Sequence, residues 1–496
     1  MEQEPTAAHG QPASGTQQPD GAGPPERDAM VAAALQRELG DDLVSVGDAI
    51  DARHYTAWNE APGVRPRALV RPRTVDDVSR TLALCARLAQ PVVPQGGRTG
   101  LARGGVARGG EVVLSMERFA GIEEIDPAAA TMTVRAGTPL QTAQEAADAA
   151  GFALGVDLGA RGSCQIGGNI ATNAGGTRAI RYGLMREQVL GLEAVLADGT
   201  VVTSLNRMLK NNAGYDWKQL FIGSEGTLGV ITRAVLRLHP KLAAPATALC
   251  RAASYDAVVK LWDRVRAGLP SVVSFEAMWP EFYGFVTAHT PGVTAPLAAD
   301  DGFVVLVECA FAAGAKVSAQ GDAHGAADAQ AALEACLAGC LEDGLIDDAA
   351  LATSARQAAN MWTLREGLAI DTLPHLINFD VSLPVGQIGV FAERCRAALA
   401  QRWPHAVSLF FGHIGDSNVH LGVSLADLPA HGEAAVDAVV YGMVRELGGS
   451  ISAEHGIGQL KRPWLGHSRS AAEIDLMRRI KTALDPSGML NPGKVL

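Results

Sequence analysis

Aromatic residues make up only 5% of this 496-residue chain, and no apolar run is long enough to span a bilayer. The core must be built mainly from aliphatic and alanine side chains. Positive charge is scarce as well: 42 Lys and Arg stand against 53 Asp and Glu, a net −11. With no Lys/Arg-rich stripe, nucleic-acid binding is not indicated, although an acidic surface suits a basic protein partner. The seven cysteines are an odd number scattered from Cys85 to Cys395. This argues against a disulfide framework and for reduced thiols in a cytoplasmic protein. Cys336 and Cys340 read as two small apolar residues on one helix face. Iron–sulfur spacing, the C-x-x-C-H of attached haem and the G-x-G-x-x-G of a Rossmann NAD site are all missing. "GMLNPGKV" (488–495) has P-loop spacing, but Val495 stands where a Mg²⁺-binding hydroxyl belongs.

The length exceeds what one core supports, so two or three domains are expected. Residues 1–27, polar and rich in Gln, Pro and Gly, read as a disordered tail without the h-region of a signal peptide. Residues 28–241 alternate short strands, helices and Gly-rich loops. In "RTVDDVSRTLALCARLAQ", Thr74 and Asp77 form a capping pattern. "GTPLQTAQEAADAAG" offers a second, with Thr138 as N-cap, Pro139 at N1 and Gln141 at N3. "LEAVLADGTVVTS" is a hairpin with Asp-Gly at its turn. Residues 242–450 carry longer Ala-rich helices between strands such as "GFVVLVECAF". Residues 451–496 end in a helix stopped by Asp485-Pro486 and an extended tail. The class is α+β.

"VPQGGRTGLARGG" (93–105) and "GSCQIGGNIATNAGGTRAIRYG" (162–183) are the densest Gly/Asn/Thr stretches. Such loops let a ligand approach the backbone and present N–H groups to anions. Two in one domain suit a pyrophosphate attached to a flat heterocycle, unless they are only tight turns. "GHIGDSNVH" (412–420) and "SAEHGIG" (452–458) concentrate imidazoles and a carboxylate. His413, His420 and Glu454 have the composition of a catalytic Zn²⁺ shell with one position open, a set that also suits other divalent metals. Solvated or core histidines are the bland alternative.

Together "PQGGRTGL", "GSCQIGGNIATNAGG", "RYG", "QLFIGSEGTLGVIT", "GHIGDSNVH", "SAEHGIG" and "LDPSGMLNPGKVL" resemble the FAD-linked D-2-hydroxyacid dehydrogenases of the vanillyl-alcohol-oxidase type. D-2-hydroxyglutarate and D-lactate dehydrogenases are the most similar members. The likeness runs in order from about residue 45 to the end. It implies FAD between two α+β subdomains, an α+β substrate (cap) domain and a C-terminal segment returning to the flavin.

The resemblance implies that Pro94, Gln95, Gly96, Gly97, Arg98, Thr99, Gly100 and Leu101 cradle the pyrophosphate. Ser163, Gly167, Gly168, Asn169, Thr172, Asn173, Gly175, Gly176, Glu225, Gly226 and Ile231 would line the flavin and ribityl chain, with Asn491 from the C-terminal segment. The 94–101 loop lacks the His or Cys that links flavin covalently in many relatives, so non-covalent FAD is expected, Cys164 being the alternative. His413, His420 and Glu454 would hold the metal, and His455 would take the hydroxyl proton, a task suited to a near-neutral base. Arg365 would bind the substrate carboxylate through its guanidinium fork. Asn418 and Lys461 are further substrate contacts.

Four positions depart from the family. Arg98 replaces its usual Asn and Ser417 its usual Gly. Ala369 and Asn378 stand where hydroxyglutarate-using relatives have Thr and Lys, which removes partners for a second carboxylate and sets a monocarboxylate such as D-lactate beside D-2-hydroxyglutarate as the substrate candidates. Electrons should pass to electron-transfer flavoprotein or a quinone. An O₂-using oxidase and a non-catalytic flavin subunit are competing readings, and a homodimer is compatible.

Overall fold

The computed structural model describes residues 24–57, 60–269, 271–311, 326–428 and 432–496. The expected tail at 1–23 lies outside them. Residues 24–27 do not extend that tail: the first helix begins at Pro24 and runs to Leu39, where Gly40 ends it at φ +89°.

Two sheets form the N-terminal part. The first contains β1 (Val44–Ser45), β2 (Ala68–Val70), β3 (Val92–Gln95) and β4 (Val112–Ser115) in the order β1-β2-β4-β3. β2, β4 and β3 are parallel, and their strands are buried on both faces, as parallel strands covered on both sides must be. The second sheet contains β5 (Ile122–Asp126), β6 (Thr131–Arg135), β7 (Phe152–Leu154), β8 (Val189–Val195), β9 (Val201–Ser204) and β10 (Val230–Pro240). The 11-residue β10 pairs antiparallel with β6, β7 and β8 and so organises this half. One aliphatic core joins both sheets.

Thr74 caps helix Val75–Arg87 in a complete capping box with Asp77. The second expected box does not form. Helix Leu140–Ala149 starts one residue later, with Pro139 as N-cap. Thr138 is instead spent on the turn before it, donating to Arg135 O at 2.7 Å and accepting from Gly121 N–H at 2.9 Å.

The cap is one antiparallel seven-stranded sheet in the order β14-β11-β13-β12-β16-β17-β15. Its strands are β11 (Ala246–Ala252), β12 (Val272–Met278), β13 (Phe303–Cys309), β14 (Asp348–Leu351), β15 (Leu376–Ser382), β16 (Val407–His413) and β17 (Asn418–Ser424). Helices Tyr255–Gly268, Ala326–Glu342, Val385–Arg402 and Glu433–Glu446 cover one face through Val258, Leu333, Phe391 and Val440. Helices Pro280–His289 and Ala355–Glu366 cover part of the other. The C-terminal segment then returns to the first sheet: Val92 N–H donates to Met489 O and Asn491 N–H to Val92 O.

Candidate active site

Side chains alternate across a strand, so every second residue shares a face. Phe275, Phe379, Phe410 and Leu421 point into the four-helix core. Glu276, Asp380, His413 and His420 therefore emerge together on the opposite face, from the adjacent strands β12, β15, β16 and β17. The register makes them neighbours: Glu276 lies opposite His413, and His420 opposite both Phe411 and Asp380. The tight turn at 414–417 joins β16 to β17, which answers why two histidines flank "IGDSNV".

Glu276 is fully buried, and both its oxygens are committed. His413 Nδ1–H donates to Oε1 at 2.8 Å, while Arg365 Nε–H donates to Oε2 at 2.8 Å and a second guanidinium nitrogen lies 2.6 Å from it. Burial pushes the His413 ring down, but the adjacent Glu276 charge outweighs it and raises the pKa to about 9. Burial, with His413 beside it, holds His420 well below its usual range, leaving a neutral imidazole.

Asp380 is also fully buried. Its Oδ2 accepts backbone N–H groups of Ala453 at 3.1 Å and of Glu454 and His455 at 2.9 Å. Burial pushes the carboxyl pKa up, but the neighbouring His455 and Lys461, and then these bonds, outweigh it and hold it below the usual carboxylate range. Glu454 Oε1 accepts Gly176 N–H at 2.9 Å. The donor atoms of His413, His420 and Glu454 lie within 4.8 Å of one another, and so do those of Asp380, His420 and His455. The His420 and His455 rings stack with centroids 6.2 Å apart.

His455 also lines a Gly-rich cleft of about 1140 Å³, including open space at its mouth. Pro94 to Gly100, Gly167, Gly168, Asn169, Thr172, Glu225, Gly226 and Ile231 line it as well. Within this wall Gln95 ties the loop, donating to His54 O and Gly105 O. Arg98 has φ +61°, a conformation that suits the family's usual Asn better.

The other expected cofactor residues are placed elsewhere. Leu101 is exposed, and the Asn173 side chain accepts Arg186 N–H. Ser163 contributes its carbonyl to the packing of Gly97, where an added Cβ would lie 2.0 Å from it. Gly175 and Gly176 are not among the cleft-lining residues: an added Cβ at Gly175 would stand 2.6 Å from Leu184 Cδ2 and 3.2 Å from Glu454 Oε1, and one at Gly176 1.9 Å from Asp157 O. Asn491 donates to Gly104 O and Glu225 O. Cys164 is buried, and burial raises its thiol pKa.

Among the substrate candidates, Arg365 is paired with Glu276 and has its guanidinium carbon 5.0 Å from the Phe411 ring centroid. Asn418 is 3% exposed, and neither its amide nitrogen nor its oxygen has a partner among the described residues. The Lys461 ammonium donates to Asp380 O and Ile451 O, so its donors already serve the backbone.

The cleft fits a flat, phosphate-bearing cofactor. Among the described residues, nothing beyond the local backbone lies within 4 Å of where a Cβ of Gly100 or Gly168 would stand, and Gln165 Oε1, in the cleft wall, is buried without a partner. Comparison with known proteins agrees. Residues 66–204 match the FAD binding domain family and 241–495 the C-terminal domain of FAD linked oxidases. The chain is 40% identical over 453 residues to a D-2-hydroxyglutarate dehydrogenase of Xanthomonas citri pv. viticola, covering 90% of this chain and 92% of that one. The chain belongs to the FAD-linked D-2-hydroxyacid dehydrogenases. It is also 35% identical to the mitochondrial D-2-hydroxyglutarate dehydrogenase of Bos taurus, over 94% of this chain and 83% of that one. The fold is of the vanillyl-alcohol-oxidase type: an alkyldihydroxyacetonephosphate synthase structure superposes with a TM-score of 0.67 at 15% identity, covering 94% of this chain and 84% of that one. The enzyme is thus an FAD-dependent dehydrogenase of D-2-hydroxyacids. No described helix is long and apolar enough to cross a membrane.

Glu276 and Asp380 were missed in the sequence. Their signal was present, since "VVSFEAM" and "LINFDVS" each set one carboxylate among apolar strand residues. Met116 and Ala136, which also line the cleft, carry no chemical signal.

Proposed function

We propose that this enzyme oxidises a monocarboxylic D-2-hydroxyacid to the 2-oxoacid with metal assistance, His455 acting as general base. The observation that carries the reading is that His455 borders both the Gly-rich cleft and the His413–His420–Glu454 donor set. Non-covalent FAD in the cleft would supply the hydride acceptor, and a divalent ion on those donors, Zn²⁺ by ligand type, would supply a Lewis acid for the hydroxyl oxygen.

Burial depresses the His455 pKa despite the Asp380 charge 3.9 Å from its Nδ1, so the ring is neutral and able to take the hydroxyl proton. Neutral His420 suits a metal ligand, and with Nδ1–H of His413 bonded to Glu276 its Nε2 would coordinate once a metal ion displaces the proton that Glu276 favours there. Asn418 is the favoured contact for the 1-carboxylate, because a ligand there would satisfy two buried polar atoms. Arg365 would orient the carboxylate through its remaining N–H groups, while Lys461 supports Asp380.

The relatives are named for D-2-hydroxyglutarate, which has a second carboxylate. Arg365 and Lys461 are each matched by a buried carboxylate, as is His413, Ala369 is buried and apolar, and Asn378 is neutral. D-Lactate therefore fits better. Electron-transfer flavoprotein or a quinone would reoxidise the flavin. Seven free cysteines suit the cytoplasm, and a homodimer is compatible with the reading.

The test is anaerobic bleaching of FAD-loaded enzyme by D- and L-hydroxyacids carrying one or two carboxylates. D-Lactate should bleach the flavin faster than D-2-hydroxyglutarate; the reverse order defeats the monocarboxylate reading. His413→Ala should lose both bound metal and bleaching, and full activity after chelation would defeat metal assistance.

A further inference from the structure

Glu225 is an unexpected residue for its position. Its φ is +52°, in the left-handed region that glycine occupies readily and glutamate does not. Gly223 and Gly226 take positive φ in the same turn without that penalty. The backbone cannot relax, because Glu225 N–H donates to Ala171 O at 2.8 Å and its carbonyl accepts Asn491 Nδ2–H at 2.7 Å. Backbone geometry alone would select glycine here, so the side chain must account for the glutamate.

Both carboxylate oxygens grip one segment. Oε1 accepts Ile457 N–H at 2.7 Å, and Oε2 accepts Gly458 N–H at 2.8 Å. Gly456 lies so close that an added Cβ would stand 2.8 Å from Oε1. Just before it, Asp380 holds the N–H groups of Ala453, Glu454 and His455. Glu225 comes from the turn before β10 in the flavin half, and Asp380 from β15 in the cap sheet. Segment 453–458 is thus held by one carboxylate from each half, with His455 the last residue of the Asp380 grip and Gly456 alone separating it from the Glu225 grip.

We propose that Glu225 is a positioning residue that, with Asp380, fixes the 453–458 backbone so that His455 borders the flavin cleft while Glu454 reaches the His413–His420 pair. Although Glu225 lines the cleft, its carboxylate acts on the loop and not on the cofactor. The effect on rate rests on His455 being the base; the effect on loop order does not.

FAD-loaded wild type, Glu225→Gly and Glu225→Gln separate these roles. Glycine relieves the left-handed strain but removes the grip. Glutamine keeps the shape but turns an NH₂ donor against a backbone N–H. Both variants should retain FAD, with melting temperature near or, for glycine, above wild type and little change in KM. Amide hydrogen exchange across 452–459 should accelerate, and flavin reduction should slow about 10–100-fold, the scale of a small misplacement of reacting groups. Wild-type exchange and wild-type reduction in Glu225→Gly would overturn the proposal, as would selective loss of FAD. Accelerated exchange with normal reduction would overturn the link between loop order and rate. His455→Ala distinguishes the readings: normal reduction there removes the base assignment, while the exchange result for Glu225 stands.

Discussion

Replacing Glu276 by Leu removes a carboxylate of similar volume from the centre of the cap sheet. Its two oxygens hold His413 and Arg365, and no solvent reaches it. The remaining guanidinium would be a buried charge without a counter-ion, a situation that costs about 3–5 kcal/mol. For a folding unit of 150–250 residues each kcal/mol lowers the melting temperature by about 2–4 °C, so a fall of about 6–20 °C is expected. Substituting both members of such a pair by apolar residues is often neutral, so Glu276→Leu combined with Arg365→Met should recover most of the stability. Turnover should not recover, because His413 loses the partner that orients its ring, a second-sphere loss of about 10–100-fold, and the Arg365 contact proposed for the substrate carboxylate is gone as well. Differential scanning fluorimetry and rapid anaerobic flavin reduction read the two effects separately. A single variant within about 1 kcal/mol of wild type would refute the energetic reasoning. A double variant with normal reduction would refute the positioning role.

Ser417 has φ +73° in the turn between β16 and β17. Ser417→Gly relieves about 1–2 kcal/mol of strain and gives back about 0.4–1 kcal/mol of unfolded-state entropy, so chemical denaturation should show a net gain of under about 1.6 kcal/mol; a clear loss would mean that the serine side chain serves the turn. His239 is held down to about 4 by burial, then by Arg237 and Arg181, against an ordinary 6.5. It is neutral when folded, so the unfolded chain binds more protons between those values. Its contribution to stability is complete above about pH 6.5 and is lost as pH falls toward 4. Partial exposure of the ring keeps the effect well below about 3 kcal/mol. His239→Gln should flatten the fall of melting temperature across that range, and parallel curves would dismiss the assignment.

Much of the fold was legible where local chemistry decides it. Thr74 and Asp77 marked a helix start, Asp-Gly marked the β8–β9 turn, and Gly40 marked a helix end. The sequence failed where tertiary partners compete. Thr138 has the side chain of an N-cap, but the nearby Gly121 and Arg135 backbone groups take its hydroxyl. Gly175 and Gly176 looked like cofactor glycines, yet the small size of the first admits Leu184 and Glu454 and that of the second the Asp157 carbonyl. The histidine strings were visible from spacing. Their buried carboxylate partners Glu276 and Asp380 were not, because strand register across the sheet decides which alternating residues meet, and register is a long-range property.

The account stands most directly on His455 as the proton acceptor beside the flavin cleft. In stopped-flow anaerobic mixing with a D-2-hydroxyacid, His455→Ala should keep bound FAD and lose about 10²–10⁴-fold in flavin reduction rate. Retention of FAD with reduction within a few-fold of wild type would contradict it.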